Sequence, residues 1–470
     1  MRILLPTGAA TREIVKCAAA GIDADVVVTG EIASFLTPHM LHTLIKKGNY
    51  DLVIVPGMCT ASFEQVERDT GIPVYRGPRH AADLALILPA LDGTSLSRTI
   101  PADEFLTGEK AKDARKKARI LEYNAGFDFM IRGTKIGGGS RIKVLAEVMD
   151  AHRCDSIREV VEYHISSGAD IVDLGFGFDA TPDDVLSVFS RLKDIDHPLA
   201  VDTQDPDLIR YALVRADIVL SLQETNIPLV GKAVAEAGAA AVIVPGNSTL
   251  IKNLARAKRA GIECIIADPL LQPVGSGLVA SLKNFSDTDY PLFFGAGNVT
   301  ELIDADSVGV NALLAGMAYE VGSSIIFTSE HSDKTRGSIR EMRQATEMMS
   351  LCADRPYPKD LGIDLLILKE KRRRRELPLE YETATPAKKM PGPITYDPKG
   401  NFRIGIEGGQ IVAVIRGKAV RGDHWDDVLY TILSHGKVSL LDHAAYLGKE
   451  LYKAELAIRY GRSFEQDGEF

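Results

Sequence analysis

The stretch GADIVDLGFG, Gly168–Gly177, sets a short apolar run, Ile171–Leu174, ahead of a glycine-rich turn and plants one acid, Asp173, inside it. Further β-rich runs recur at Ile142–Val148, Leu199–Asp202, Ile218–Leu222, Ala241–Pro245, Cys264–Asp268, Leu292–Gly295 and Ser324–Thr328. Helix-length segments separate most of them. Eight strand signals spaced roughly 19–32 residues apart over about 190 residues are what a (β/α)8 barrel requires. A central TIM barrel over 136–376 is the expectation.

Working outward, three apolar runs open the chain, Arg2–Pro6, Asp25–Thr29 and Asp51–Pro56, each followed by a Gly-containing turn and a helical stretch. They predict a small N-terminal α/β (Rossmann-like) domain over 1–100. PTGAATREIV, Pro6–Val15, has a single glycine and neither a GxGxxG nor a P-loop lysine, so it reads as an ordinary strand-to-helix turn. The charged segment ADEFLTGEKAKDARKKAR, Ala102–Arg119, predicts a surface helix or linker within 101–135. Beyond the barrel, its last helix is expected to run into LKEKRRRREL, Leu368–Leu377. The basic run Lys371–Arg375 there suits a solvated helix C-terminus better than a polyphosphate or RNA grip. A Pro/Lys-rich linker over 377–395 leads to DPKGNFRIGIEGGQIVAVIRG, Asp397–Gly417, which alternates like a β-meander with a Gly-Gly turn. With a long amphipathic helix at Asp442–Tyr460, this predicts a C-terminal α+β domain over 396–470.

Bulk properties narrow the function. Hydrophobic residues at 45% and charged residues at 25% fit a globular protein. The net charge of −9 offers no general attraction to nucleic acid or anionic lipid. Five scattered cysteines in no ligand spacing signal neither disulfides nor zinc. No run approaches a membrane span, and the N-terminus lacks a signal-peptide core. A cytoplasmic protein acting on a small molecule is the expectation.

A barrel of this kind builds its site at the C-terminal ends of its strands. Those ends are polar here: Glu147 on the first strand, Asp173 on the second, Asp202 on the third, Ser221 and Gln223–Glu224 on the fourth, Asp268 on the sixth, Asn298 on the seventh, and Thr328-Ser329-Glu330-His331 on the eighth. Converging carboxylates favour a ligand that brings donors or a cation. A divalent metal is one such partner, with Glu147 its candidate ligand, although there is no His-x-His and the Asp304/Asp306 pair lies off the strand ends. A heterocycle presenting N–H groups edge-on, such as the 2-amino-4-oxo edge of a pterin, is another, and Asp202, Asp268 and Asn298 suit it. Gly295 would let the backbone approach such a ring. Asp179 and Asp205 are expected to cap the helices that follow them.

These motifs together resemble the pterin-binding TIM-barrel superfamily over Ile142 to about Met348. GADIVDLGFG is similar to the second-strand signature of dihydropteroate synthases, LAVDTQ, Leu199–Gln204, to their third-strand Asp-Thr, and IIADP, Ile265–Pro269, to their sixth-strand Asp-Pro. The resemblance implies that Asp202 and Asp268 hold a pterin. The three-part layout, with RGSIREM, Arg336–Met342, and PKDLGIDLLILKEKRRRRE, Pro358–Glu376, is similar to archaeal and methylotroph dihydropteroate synthase-like proteins linked to tetrahydromethanopterin. The terminal domain resembles a domain of unknown function, distantly like one subunit of a corrinoid methyltransferase complex.

The chain also departs from the synthases. It has Glu147 where they place an asparagine, Gly297-Asn298-Val299 where they place Ser-Arg-Lys, and Phe327-Thr328-Ser329 where they place Arg-x-His. The missing groups grip a diphosphate and stack on the pterin. Lys334 and Arg336, with Glu330 beside them, stand as replacement candidates for the phosphate and second-substrate side. GAGNVTE, Gly295–Glu301, and DPLLQPVG, Asp268–Gly275, look more like pterin-dependent corrinoid methyltransferases, whose asparagine bonds the pterin near its methylated nitrogen. The resemblance thus implies three readings. The first is a synthase condensing hydroxymethyl-dihydropterin diphosphate with an arylamine, the ribofuranosyl-aminobenzene phosphate of methanopterin synthesis, with Mg2+ offsetting the diphosphate. The second is methyl transfer between a tetrahydropterin and a methyl carrier. The third is a non-catalytic pterin carrier. The synthase ranks first, with Asn298, Glu147 and Lys334 as catalytic candidates and a homodimer expected by analogy.

Overall fold

A computed structural model describes residues 1–79, 81–91, 96–286, 288–353, 357–359, 361–369, 381–389 and 395–469. They fall into two compact units, Met1–Leu379 and Glu380–Phe470.

The first unit opens with a four-stranded parallel sheet in the order β2-β1-β3-β4, made of β1 (Ile3–Thr7), β2 (Ala24–Val28), β3 (Leu52–Val55) and β4 (Val74–Arg76). Helices α1 (Arg12–Ala18), α2 (Pro38–Ile45), α3 (Glu64–Thr70) and α4 (Leu84–Ile87) connect and flank it. The charged segment that follows is helix α5 (Ala102–Asn124). It leads into a hairpin, β5 (Phe129–Ile131) and β6 (Thr134–Ile136), whose two-residue turn holds Arg132 at φ 43° and Gly133 at φ 82°. Two consecutive left-handed residues match the twist of the flanking strands.

Eight parallel strands then close into a barrel: β7 (Lys143–Val148), β8 (Ile171–Gly175), β9 (Leu199–Asp202), β10 (Ile218–Leu222), β11 (Ala240–Ile243), β12 (Ile265–Ala267), β13 (Leu292–Phe294) and β14 (Ser323–Thr328). Closure comes from β14 pairing with β7, Ile325 opposite Lys143. The surrounding helices are α6 (Ile157–Ser167), α7 (Pro182–Arg191), α8 (Pro206–Ala212), α9 (Ile227–Ala237), α10 (Leu250–Arg259), α11 (Leu278–Ser281), α12 (Ala296–Glu301), α13 (Ser307–Glu320) and α14 (Ser338–Ser350). Alternation along each strand sends one set of side chains out to these helices, Val144, Val172 and Val201 among them, and the other set inward. The inward layer of Leu145, Ile171, Ala200, Leu220, Ile266 and Phe293 packs on Ile131 and Ile136, so the hairpin plugs the N-terminal end. Burying each such side chain contributes about 1.5–3 kcal/mol.

The α14 helix ends at Ser350, and the described residues of 357–369 contain no helix, so the helix expected to run toward Leu368 is not there. The Lys371–Arg375 run lies outside the described residues.

The second unit carries an antiparallel sheet, β15 (Arg403–Glu407), β16 (Gln410–Ile415) and β17 (Lys418–Gly422). Helices α15 (Trp425–Ser434) and α16 (Leu441–Tyr460) share a core with it through Ile404, Ile411, Val428, Ile432, Leu447 and Leu451. No helix among the described residues is long and apolar enough to cross a membrane.

Candidate functional site

The period of two that buries Leu145 and Ile171 in the barrel brings up, two residues later, Glu147 and Asp173, which the β7/β8 register sets opposite each other. On β9 the residue two beyond Ala200 is Asp202, opposite Gly175. Two beyond Ile266 comes Asp268. Four carboxyls therefore stand directly above an apolar layer.

Their electrostatics are those of acids taken out of water. Burial, then the nearby Asp202, Glu301 and Asp150, push the Glu147 carboxyl up to about 7. Burial raises Asp268 to about 7 against the hydrogen bond from the Leu270 amide at 2.8 Å, with Asp202 adding to the rise. Asp202 is raised by burial and eased by its bond from the Ser221 hydroxyl. Asp173 is wholly buried, neither carboxyl oxygen has a hydrogen-bond partner of good geometry among the described residues, and burial with Asp202 and Glu147 raises it well above the usual range against a small opposing effect of the Leu174 amide.

The backbone around them is strained. Among described non-glycine residues, six have left-handed φ, and three of these stand at barrel strand ends: Asp150 at 47°, Ser221 at 62° and Leu270 at 63°. Ser221 sits in a register slip of β10 between Val219 and Leu222, a bulge that re-aims its hydroxyl onto Asp202. Gly177 contributes differently. A Cβ there would lie 2.8 Å from Asp150 Oδ1, so the glycine leaves that carboxyl room where a side chain would push it aside.

A cavity of about 310 Å³ opens on this side of the barrel mouth. Glu147, Asp150, Asp202 and Asp205 line it with Ser221, Thr203 and Gln204, and Met149, Phe176, Phe178 and Leu208 supply its apolar surface. Its lining contains four acids and no Lys, Arg or His. Asp150, Met149 and the two phenylalanines escaped the sequence reading. The signal for the latter was the paired Gly-Phe of GFGF.

The remaining candidates are placed as follows. Gln223 turns sideways, its amide donating to Gln204 Oε1 at 3.1 Å. The seventh strand ends at Phe294, so Asn298 belongs to the first turn of α12 rather than to the strand, and it is exposed. Gly295 follows that strand with open space where a Cβ would be. Lys334 is engaged in a loop brace, its ammonium 2.7 Å from the Ile303 carbonyl and 3.3 Å from Asp304. Glu330 accepts from the Tyr163 hydroxyl at 3.1 Å and the Ile339 amide at 3.1 Å, which ties it to the start of α14. Arg336 is exposed and has no ion pair among the described residues. Glu301, unnoticed in the sequence, accepts from Ser329, Ser332 and Thr335 hydroxyls and so fixes the loop after β14. Asp205 caps α8 as expected, accepting from the Asp207 amide at 2.7 Å, and also lines the cavity. Asp179 does not cap α7. Thr181 does, in a capping box with Asp184, while Asp179 pairs with Arg153 and lies 3.4 Å from His152 Nε2. No three His, Cys, Asp or Glu side chains among the described residues form a metal-holding group.

Comparison with known proteins adds three kinds of likeness. A family model described as PterinBD-DUF4346 matches residues 396–467. The uncharacterized protein MJ0107 of Methanocaldococcus jannaschii is 33% identical over 517 aligned positions, spanning 99% of this chain and 98% of that one. Among solved structures, dihydropteroate synthase from Thermus thermophilus is 19% identical with TM-score 0.37, over 44% of this chain and 93% of its own. The Coxiella burnetii synthase in complex with pteroic acid is 21% identical with TM-score 0.38, over 48% and 98%.

Proposed function

We propose that this chain, which belongs to the same family as the Methanocaldococcus jannaschii protein MJ0107, is a pterin-binding transferase of the dihydropteroate synthase-like kind. The observation that carries the reading is the set of four carboxyls above the barrel's apolar layer, Asp173 and Asp268 buried beside the cavity and Glu147 and Asp202 half-buried in a cavity lining that has no Lys, Arg or His. A pterin's 2-amino group and ring N–H donate to such acids in pairs, and Asp202 and Asp268 are the natural acceptors. The family model matched in the second unit carries pterin binding in its description, which agrees.

In the proposed reaction an arylamine attacks the methylene carbon of hydroxymethyl-dihydropterin diphosphate. The C–N bond forms as the C–O bond breaks, diphosphate leaves with the electron pair, and the new ammonium gives up a proton. Glu147, held near 7, is partly ionised at neutral pH and takes that proton. In this scheme Glu147 acts as the base. Mg2+ belongs to this scheme as the counter-ion of the diphosphate, hence as part of the substrate. Arg336, uncommitted to any ion pair among the described residues, is the candidate cation for the leaving group.

One observation favours a second reading. Lys334 is spent on the loop after α12, which weakens the diphosphate grip and suits methyl transfer to or from a tetrahydropterin, with Asn298 near the reacting nitrogen. Calorimetric titration with 6-hydroxymethylpterin tests the shared premise. Asp202→Asn and Asp268→Asn should each weaken binding at least thirtyfold, the scale of truncating a buried charge-assisted pair at about 2–5 kcal/mol. Unchanged affinity in both would sink the site. Pyrophosphate release that requires added arylamine selects the synthase, and methyl exchange with a corrinoid selects the rival.

A further inference from the structure

Phe178 is fully exposed, at 105%, although it lines the cavity. Its neighbours in the β8–α7 loop are not free. Phe176 is buried, stacked on His152 with ring centroids 6.2 Å apart and tilted against Phe189 at 6.4 Å. Asp179 is tied to Arg153, and Thr181 to Asp184 by the capping box. An anchored loop therefore holds one whole phenyl ring out in water at the rim of an acidic cavity. Met149, after the first barrel strand, lines the same cavity and is 48% exposed. Both side chains forgo burial that a few ångströms of movement or a ligand would provide.

Carboxyls satisfy only the edge of a flat ring, and its two faces need apolar cover. We propose that Phe178 and Met149 form a clamp that covers the faces of the bound heterocycle, Phe178 by ring stacking and Met149 through its polarizable thioether. The clamp rests on the pterin reading above and extends it by naming what selects an aromatic, planar ligand. It also replaces the stacking group that the eighth strand lacks, since Phe327-Thr328-Ser329 provides no arginine. Both side chains are positioning residues and take no part in bond making.

Their exposure makes the test clean, because neither is needed for packing. With 6-hydroxymethylpterin as the probe, Phe178→Ala should bind at least tenfold more weakly, Phe178→Tyr within threefold of the parent, and Met149→Ala a few-fold more weakly. The chain has a single tryptophan, Trp425. In a Trp425→Phe background, Phe178→Trp should show emission quenched by the bound pterin, a signature that a merely structural role would not give. If the parent protein binds the probe and Phe178→Ala binds it equally well, the clamp is wrong while the site stands. If the parent binds no pterin at all, the functional reading itself fails and takes the clamp with it.

Discussion

The two ends of the barrel bury charge in opposite ways. At the N-terminal end Asp170, immediately before β8, accepts from Arg141 at 2.5 Å, Arg343 at 2.9 Å and the Val144 amide at 2.9 Å. Burial alone would raise this carboxyl, but the two guanidiniums hold it down to about 2. Lys143, inside β7, meets Ser140 at 3.0 Å, the Arg141 carbonyl and Glu122 at 3.1 Å. Three residues beyond Asp170, toward the other end of the same strand, Asp173 is buried with both oxygens unpartnered among the described residues and is pushed far upward. Residue type and burial are shared, so neither marks function. Satisfaction separates them: the acid at the bottom of the barrel is paired with two guanidiniums, and the acid toward the top has no such partner among the described residues.

Cutting the paired end gives the largest effect. Asp170→Ala leaves two guanidiniums facing each other without their carboxylate, and removing one partner of a buried ion network costs about 3–5 kcal/mol. The guanidinium chloride midpoint should fall accordingly, while the affinity of the folded fraction for 6-hydroxymethylpterin stays unchanged. A loss under about 1 kcal/mol would break the contrast between the ends.

The sequence made the barrel strands and the acids at the mouth legible for the same reason. Apolar runs of four to six residues ending in Asp or Glu state both a strand and what caps it, as with Leu199–Asp202. What escaped was either too short or set by tertiary contacts. β4 and the β5–β6 hairpin have three-residue strands, which carry no usable period. Asp179 and Asp205 look alike as helix caps, yet a nearby arginine claims the first, and Thr181 takes its place. Lys334 read as a cation available to phosphate because nothing local shows that it folds back on Ile303. The solvent exposure of Phe178 depends on the loop around it and has no sequence signature.

The unpaired end should reveal itself in the pH dependence of stability. Glu147 and Asp268 rise to about 7 in the folded chain, from an unfolded value near 4. Between those values the native state holds more protons than the unfolded one, so stability falls as pH rises through the window. A loss of about 2 kcal/mol between pH 5 and 8 is expected, less than the sum of separate sites because the groups share protons. Asp268→Asn should flatten the curve, and so should saturating pterin. Asp170 has the opposite sign, its contribution being present above pH 4 and lost only as the pH falls toward 2. Urea unfolding that is flat from pH 5 to 8 in the parent would mean that the mouth carboxyls find partners in solution.

Ser221 offers the smallest and sharpest test. Its φ of 62° costs a non-glycine residue about 1–2 kcal/mol, a strain that the β10 bulge imposes. Ser221→Gly removes that cost but returns about 0.5–1 kcal/mol of backbone freedom to the unfolded chain, so net stability should move by less than about 1 kcal/mol. The lost hydroxyl matters more locally, because its hydrogen bond is what eases Asp202 downward. Without it the Asp202 carboxyl rises further, and the pH at which pterin binding reaches half its maximum should move up with it. Matched titrations of parent and variant across pH 5 to 8 read this directly. A variant of equal stability and shifted pH profile assigns the strain at the fourth strand to the ligand, whereas equal profiles would place Ser221 with the scaffold, alongside the paired charges at the opposite end.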